Sequence, residues 1–161
     1  MIDIRSAFTG CYIGTTRKYW RTIPSFQNSL MDLAIIERYG RRLLGTDIPL
    51  YQPSAEEIHA EQVKDCGNLA ASMQRQEAPS MADLVSKIHW CARTIHYVRK
   101  GQIVSKGRAC RECCQAPDLD SFRELFEYAQ DRRYPYEPRS ADPAMVAACR
   151  ELLGTVGRLL A

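Results

Sequence analysis

The sequence predicts a mainly α protein, a helical bundle of about five helices, and three observations carry that expectation. Apolar residues recur at i, i+3, i+4 and i+7 over several stretches of helical length. Capping signatures precede three of these stretches, at Ser54, Ser80 and Asp142. No stretch alternates apolar and polar residues long enough to specify a strand. With 161 residues, 45% of them apolar and 25% charged, the chain has the length and composition of one globular domain over 1–161.

Residues 1–23 read as an N-terminal arm, in which Ile2, Ile4, Phe8, Tyr12 and Ile13 fit either a helix or a short hairpin. The first helix follows Pro24, with Leu30, Leu33, Ala34, Ile36, Tyr39 and Leu43 on one face. Ser25 or Asn28 caps its start, Arg41 and Arg42 suit its negative end, and Gly45 stops it.

The second helix opens with the capping box Ser54-Ala55-Glu56-Glu57, in which Glu57 reaches back to the cap amide. Ile58, Cys66, Leu69 and Met73 form its thin apolar stripe. The third has the strongest periodicity: a second capping box, Ser80-Met81-Ala82-Asp83, starts it, Met81, Leu84, Val85, Ile88, Ala92, Ile95 and Arg99 share a face, and Gly101 ends it.

Residues 101–117 read as an irregular basic loop. Asp118 or Asp120 then caps a short helix carrying Leu119, Phe122, Leu125, Phe126 and Ala129. Tyr134-Pro135-Tyr136-Glu137-Pro138 cannot continue a helix, because proline lacks the amide donor and restricts its predecessor, so 134–141 reads as a linker. Asp142 followed by Pro143 starts the last helix, with Met145, Cys149, Leu152, Val156 and Leu159 along it. Gly154 and Gly157 inside that helix suggest the close approach of another backbone.

The formal net charge is only +3, but it is unevenly placed. Residues 1–45 hold seven basic and three acidic groups, and residues 81–117 hold seven and two; the segments following each are net acidic. The first basic block contains Arg17, Lys18, Trp20 and Arg21, and the second contains Arg93, Arg99, Lys100, Lys106, Arg108 and Arg111, with Trp90 and Tyr97 nearby. Cations interleaved with aromatic rings suit nucleic acid, since the cations neutralise phosphates and the rings stack on unpaired bases. An acidic protein surface attracts the same residues.

The expected function is therefore that of a non-enzymatic binding protein, an adaptor, complex subunit or inhibitor, whose partner is another protein or a protein–nucleic acid complex. No apolar run approaches the roughly 20 residues of a membrane helix. Seven cysteines follow a start, Met1-Ile2-Asp3-Ile4-Arg5, that lacks the apolar core of a secretory signal, so reduced thiols and a cytoplasmic setting are expected. The chain contains no phosphate-binding G-x-x-x-x-G-K-[ST] loop, no G-x-G-x-x-G, no G-x-S-x-G and no H-E-x-x-H.

Two patterns point to zinc. Cys110-Arg111-Glu112-Cys113 has the C-x-x-C spacing of a metal knuckle, and His89 and His96, seven residues apart on the edge of the third helix, are the candidates to complete it, with Cys91 and Cys114 in reserve. This makes a zinc-supported nucleic-acid-binding protein the alternative. His59-Ala60-Glu61 followed by Cys110-x-x-Cys113 resembles the signature of the zinc deaminases, which is H-x-E and then P-C-x-x-C. The resemblance implies His59, Cys110 and Cys113 as zinc ligands and Glu61 as proton shuttle. It covers these residues alone: Ala109 stands where that family has proline, and His59 falls inside a helix already capped at Ser54.

Overall fold

The computed structural model of the chain describes residues 30, 31, 34, 52–131 and 140–161. Among them the architecture is helical and without strands: α1 (Ala55–Arg75), α2 (Met81–Lys100), α3 (Lys106–Cys114), a 3-10 helix (Pro117–Phe122), α4 (Arg123–Gln130) and α5 (Pro143–Leu160). The arm 1–23, most of the first predicted helix and most of the predicted linker 134–141 lie outside the described residues. The chain divides into two compact units, Met1–Glu61 and Gln62–Ala161, the division falling within α1.

In the first unit Leu30, Met31 and Ala34 are helical, and Leu30, Met31 and Ile58 are buried. The Leu30 amide donates to Glu61 Oε2 at 2.7 Å. The capping box at α1 is reciprocal: the Glu57 amide donates to Ser54 Oγ at 3.2 Å, and the Ser54 amide to Glu57 Oε2 at 3.1 Å.

The second unit is built around α2. Ser80 Oγ accepts from the Asp83 amide at 3.1 Å, but Asp83 does not close the box, because its carboxylate pairs with Lys87 instead. Gly101 ends the helix at φ 62°, its amide donating to the Tyr97 carbonyl at 2.8 Å; an L side chain rarely adopts that conformation, which is why glycine stands there.

The residues buried on α2 run almost all the way round it, from Met81 to His96. Helices α3, α4 and α5 pack against it. Thr94 Oγ1 donates to Gln62 Oε1 of α1 at 2.6 Å, so the α1 side is covered as well. Leu84, Val85, Ile88 and Ile95 are essentially without solvent contact. Burying a side chain of this kind contributes roughly 1.5–3 kcal/mol relative to leaving it exposed, so α2 is the axis of the core.

Two predicted features take a different form. The basic stretch 101–117 is not an irregular loop: residues 106–114 are helix α3, capped by Ser105, whose Oγ accepts from the Arg108 amide at 3.4 Å. Its buried face consists of Ala109, Cys110 and Cys113, small residues that give little periodic signal. Neither Asp118 nor Asp120 caps α4; both lie in the 3-10 helix, which leads into α4 through Phe122 without a side-chain cap.

Helix α5 starts as predicted, Asp142 Oδ1 accepting from the Ala144 amide at 2.7 Å with Pro143 in the first turn. Its start is tied to that of α2 by the Ala141 amide donating to the Pro79 carbonyl at 2.8 Å. Arg150 reaches from α5 to the end of α1 and donates to the Met73 carbonyl at 3.0 Å. The close backbone approach suggested by Gly154 and Gly157 is absent among the described residues. A Cβ at Gly157 would stand at an ordinary 3.7 Å from Cys66 Sγ, and one at Gly154 would meet only the Arg158 side chain.

Candidate functional site

The junction between the last turn of α2 and α3 gathers Arg99, Lys100, Lys106, Arg108 and Arg111. Glu112 is its hub. Lys100 Nζ donates to Glu112 Oε2 at 2.6 Å, and Arg108 Nε donates to Oε1 at 2.8 Å. His96 Nε2 stands 3.0 Å from Oε2, an ion-pair contact whose alignment falls short of a hydrogen bond. Arg99 donates to Asp118 in the 3-10 helix. Lys106 and Arg111 are exposed and have no carboxylate partner among the described residues.

Five cations thus meet two carboxylates, and the junction keeps a surplus of positive charge. Lys106 and Arg108 lie in the first turn of α3, which holds no acid, so the positive end of the helix dipole adds to their field. Exposed ion pairs of the Lys100–Glu112 kind are worth about 0–1 kcal/mol, so an incoming anion can exchange with them at little cost.

The Lys100 and Arg108 hydrogen bonds, with the nearby His96 charge, hold the Glu112 carboxyl down at about 2, from an ordinary 4.5. The folded chain therefore holds this group ionised more firmly than the unfolded chain does. Its contribution to stability is fully present above about pH 4.5 and is lost as the pH falls toward about 2. Glu112→Gln should flatten that part of the acid-unfolding curve followed by circular dichroism; an unchanged curve contradicts the hub role.

The other predicted site residues are placed as follows. Arg93 is not a surface residue: it lies on the buried part of α2 at 7% exposure and leaves the cationic surface. Trp90 packs against the core with its Nε1 buried and, among the described residues, without an acceptor, so it is no exposed stacking platform. Arg17, Lys18, Trp20 and Arg21 lie outside the described residues.

The predicted zinc ligands do not converge. Among the described residues no group of three or more His, Cys, Asp or Glu side chains has an arrangement that holds a metal ion. His89 and His96 are not edge residues but are both buried, because α2 is covered on several sides. His89 Nε2 donates to the Ala129 carbonyl at the end of α4 at 2.8 Å. Burial lowers the His89 pKa, and the Lys106 and Arg93 charges add to this, so the neutral ring serves as a cap for α4. His96 Nδ1 is hydrogen-bonded to the Gln102 carbonyl at 2.9 Å, and Nε2 lies in ion-pair contact with Glu112 at 3.0 Å. Of the residues that resemble the deaminase signature, His59 is exposed and Glu61 accepts from the Leu30 amide.

Cys110 and Cys113 are core residues, with Cys113 Sγ directed at the Ala92 carbonyl at 3.8 Å. Burial pushes both thiols, and that of Cys149, up to about 12. Cys91, wholly enclosed, is shifted upward too. At pH 8 a thiol of that kind is thiolate in about one molecule in ten thousand, so these groups are inert small apolar residues rather than nucleophiles. Iodoacetamide applied to the native chain at pH 8 should leave Cys91, Cys110, Cys113 and Cys149 unmodified until denaturant is added, as read by peptide mass mapping. Rapid native alkylation of Cys110 or Cys113 would overturn the burial argument.

Sequence reasoning missed Glu112 as the hub. The signal was there, since Glu112 follows Arg108 at i+4, but that spacing has meaning only once 106–114 is a helix. Among the described residues no helix is long and apolar enough to cross a membrane. No family model, curated protein or solved structure matches the chain.

Proposed function

We propose that the chain is a binding protein, and that the cationic surface of α3 and the last turn of α2 receives a polyanionic partner, a nucleic acid or an acidic protein surface. The observation that carries this reading is the unbalanced charge of the junction: Lys106 and Arg111 stand exposed with no carboxylate partner among the described residues, beside Lys100 and Arg108, which share the carboxylate of Glu112. Such a surface raises the electrostatic energy of the free chain, and an anion relieves it. The first basic block, Arg17, Lys18, Trp20 and Arg21, extends the same chemistry in sequence. Six described cysteines are free thiols, which suits a reducing compartment.

The test is a titration of a fluorescent single-stranded oligonucleotide and, separately, of a fluorescent acidic peptide, at several salt concentrations. Binding to one of them should weaken linearly in log–log form as salt rises. The pair Lys106→Glu and Arg111→Glu should weaken it by roughly tenfold or more while leaving the circular dichroism spectrum unchanged, because both side chains are exposed. If the oligonucleotide is the ligand, each lost phosphate contact should also lower the salt slope by about 0.7. Absence of binding to both probes, or equal binding by the double variant, contradicts the reading.

A further inference from the structure

We propose that His96 is a proton-operated latch that holds the loop 101–105 and α3 against the last turn of α2. The ring is 3% exposed, and both of its nitrogens face acceptors: Nδ1 stands 2.9 Å from the Gln102 carbonyl oxygen and Nε2 3.0 Å from Glu112 Oε2. A neutral imidazole that donates from Nδ1 to the Gln102 carbonyl sets the lone pair of Nε2 beside the Glu112 carboxylate, 3.0 Å away. The imidazolium keeps the Gln102 bond and meets the same carboxylate with opposite charge. With its proton, the ring ties three pieces of chain together: α2 through its own backbone, the loop through Gln102 and α3 through Glu112. Without it, one tie becomes a repulsion at a nitrogen that is itself buried.

The charges around the ring come from three elements. Glu112 and Arg108 are supplied by α3, Arg99 and Lys100 by the following turn of α2, and Asp118, bonded to Arg99, by the 3-10 helix. Among the described residues Glu112 is the one ion-pair contact of the ring. Lys100 and Arg108 compete for Glu112, and they are the reason that the latch has an alternative. When the ring loses its proton, Glu112 keeps both of those partners, while the charge tie that holds α3 to the ring through Glu112 is lost. The loop begins at Gly101, whose φ of 62° already marks a break in the helix and gives the segment a pivot.

The experiment follows the ¹⁵N-labelled chain by NMR from about pH 5 to about pH 8.5. The nitrogen and proton shifts of the His96 ring are recorded together with amide hydrogen exchange over residues 101–112, corrected for the intrinsic effect of pH. The expected result is a ring protonated on both nitrogens at the acid end. On its deprotonation, protection of the Val104–Arg108 amides should fall by roughly tenfold, with the same midpoint as the ring. In His96→Gln, which does not titrate, the protection should be independent of pH. In Glu112→Gln, which keeps the ring but removes the carboxylate, the transition should move to lower pH. The wild-type titration decides even where a variant folds poorly. A ring that carries a single proton throughout, or protection that does not change at its midpoint, overturns the latch.

Discussion

Phe126→Ala is expected to destabilise the second unit by about 3–5 kcal/mol, the range for emptying an aromatic site in a packed core. Phe126 is the largest side chain in the molecule's described interior that is wholly without solvent contact. It lies on α4, which packs against α2, α3 and the 3-10 helix. Helix α4 has only eight residues, too short to be stable by itself, so it depends on this burial for its place. The measurement is the shift of the urea midpoint at constant slope. A change below about 1 kcal/mol would mean that the site collapses around the smaller side chain, and that Phe126 is not the anchor of α4.

Gly107→Ala is expected to destabilise as well, with a sign opposite to the ordinary rule. Glycine inside a helix usually gives up about 1 kcal/mol relative to alanine, and Gly107 has no positive φ that would forbid the exchange. A Cβ built at Gly107, however, would stand 2.8 Å from the Gln130 carbonyl oxygen at the end of α4. That oxygen is backbone and cannot turn aside; the second neighbour, Arg111 Nη1 at 3.7 Å, can. Relief requires α3 and α4 to separate, and overpacking of this kind costs about 1–3 kcal/mol. The expected outcome is a lower urea midpoint for Gly107→Ala, and a still lower one for Gly107→Val. A higher midpoint for the alanine variant would show that the two helices have room between them.

These two sites mark where the sequence was readable and where it was not. The starts at Ser54, Ser80 and Asp142 and the stop at Gly101 follow from bonds between a side chain and a backbone a few residues away, so local sequence suffices to find them. Helix α3 escaped because its inward face is Ala109, Cys110 and Cys113, while the eye is drawn to Lys106, Arg108 and Arg111. Its cap, Ser105, was the available signal.

The misplacement of His89, His96 and Arg93 has one cause. A single apolar stripe implies a helix with one covered face, whereas α2 is covered by α1, α3, α4 and α5, so residues off the stripe are buried too. Each polar group drawn inside in this way needs a partner, and the two histidines find theirs in backbone carbonyls, of Ala129 and of Gln102. No spacing rule reveals those partners before the chain is folded. The cysteine pair was legible as a pair. That it serves as core depends on how α3 meets α2, which sequence spacing does not express.

The account rests on the cationic junction receiving an anion, and the most direct measurement maps where an anion lands. A ¹⁵N-labelled chain is titrated at low ionic strength with a single-stranded oligonucleotide, then separately with an acidic peptide, and backbone amide shifts are recorded residue by residue. The predicted result is a set of perturbations centred on residues 99–112 for one of the two, strongest near Lys106 and Arg111 and reversed by added salt. Perturbations confined to other parts of the chain, or none with either ligand, would contradict it.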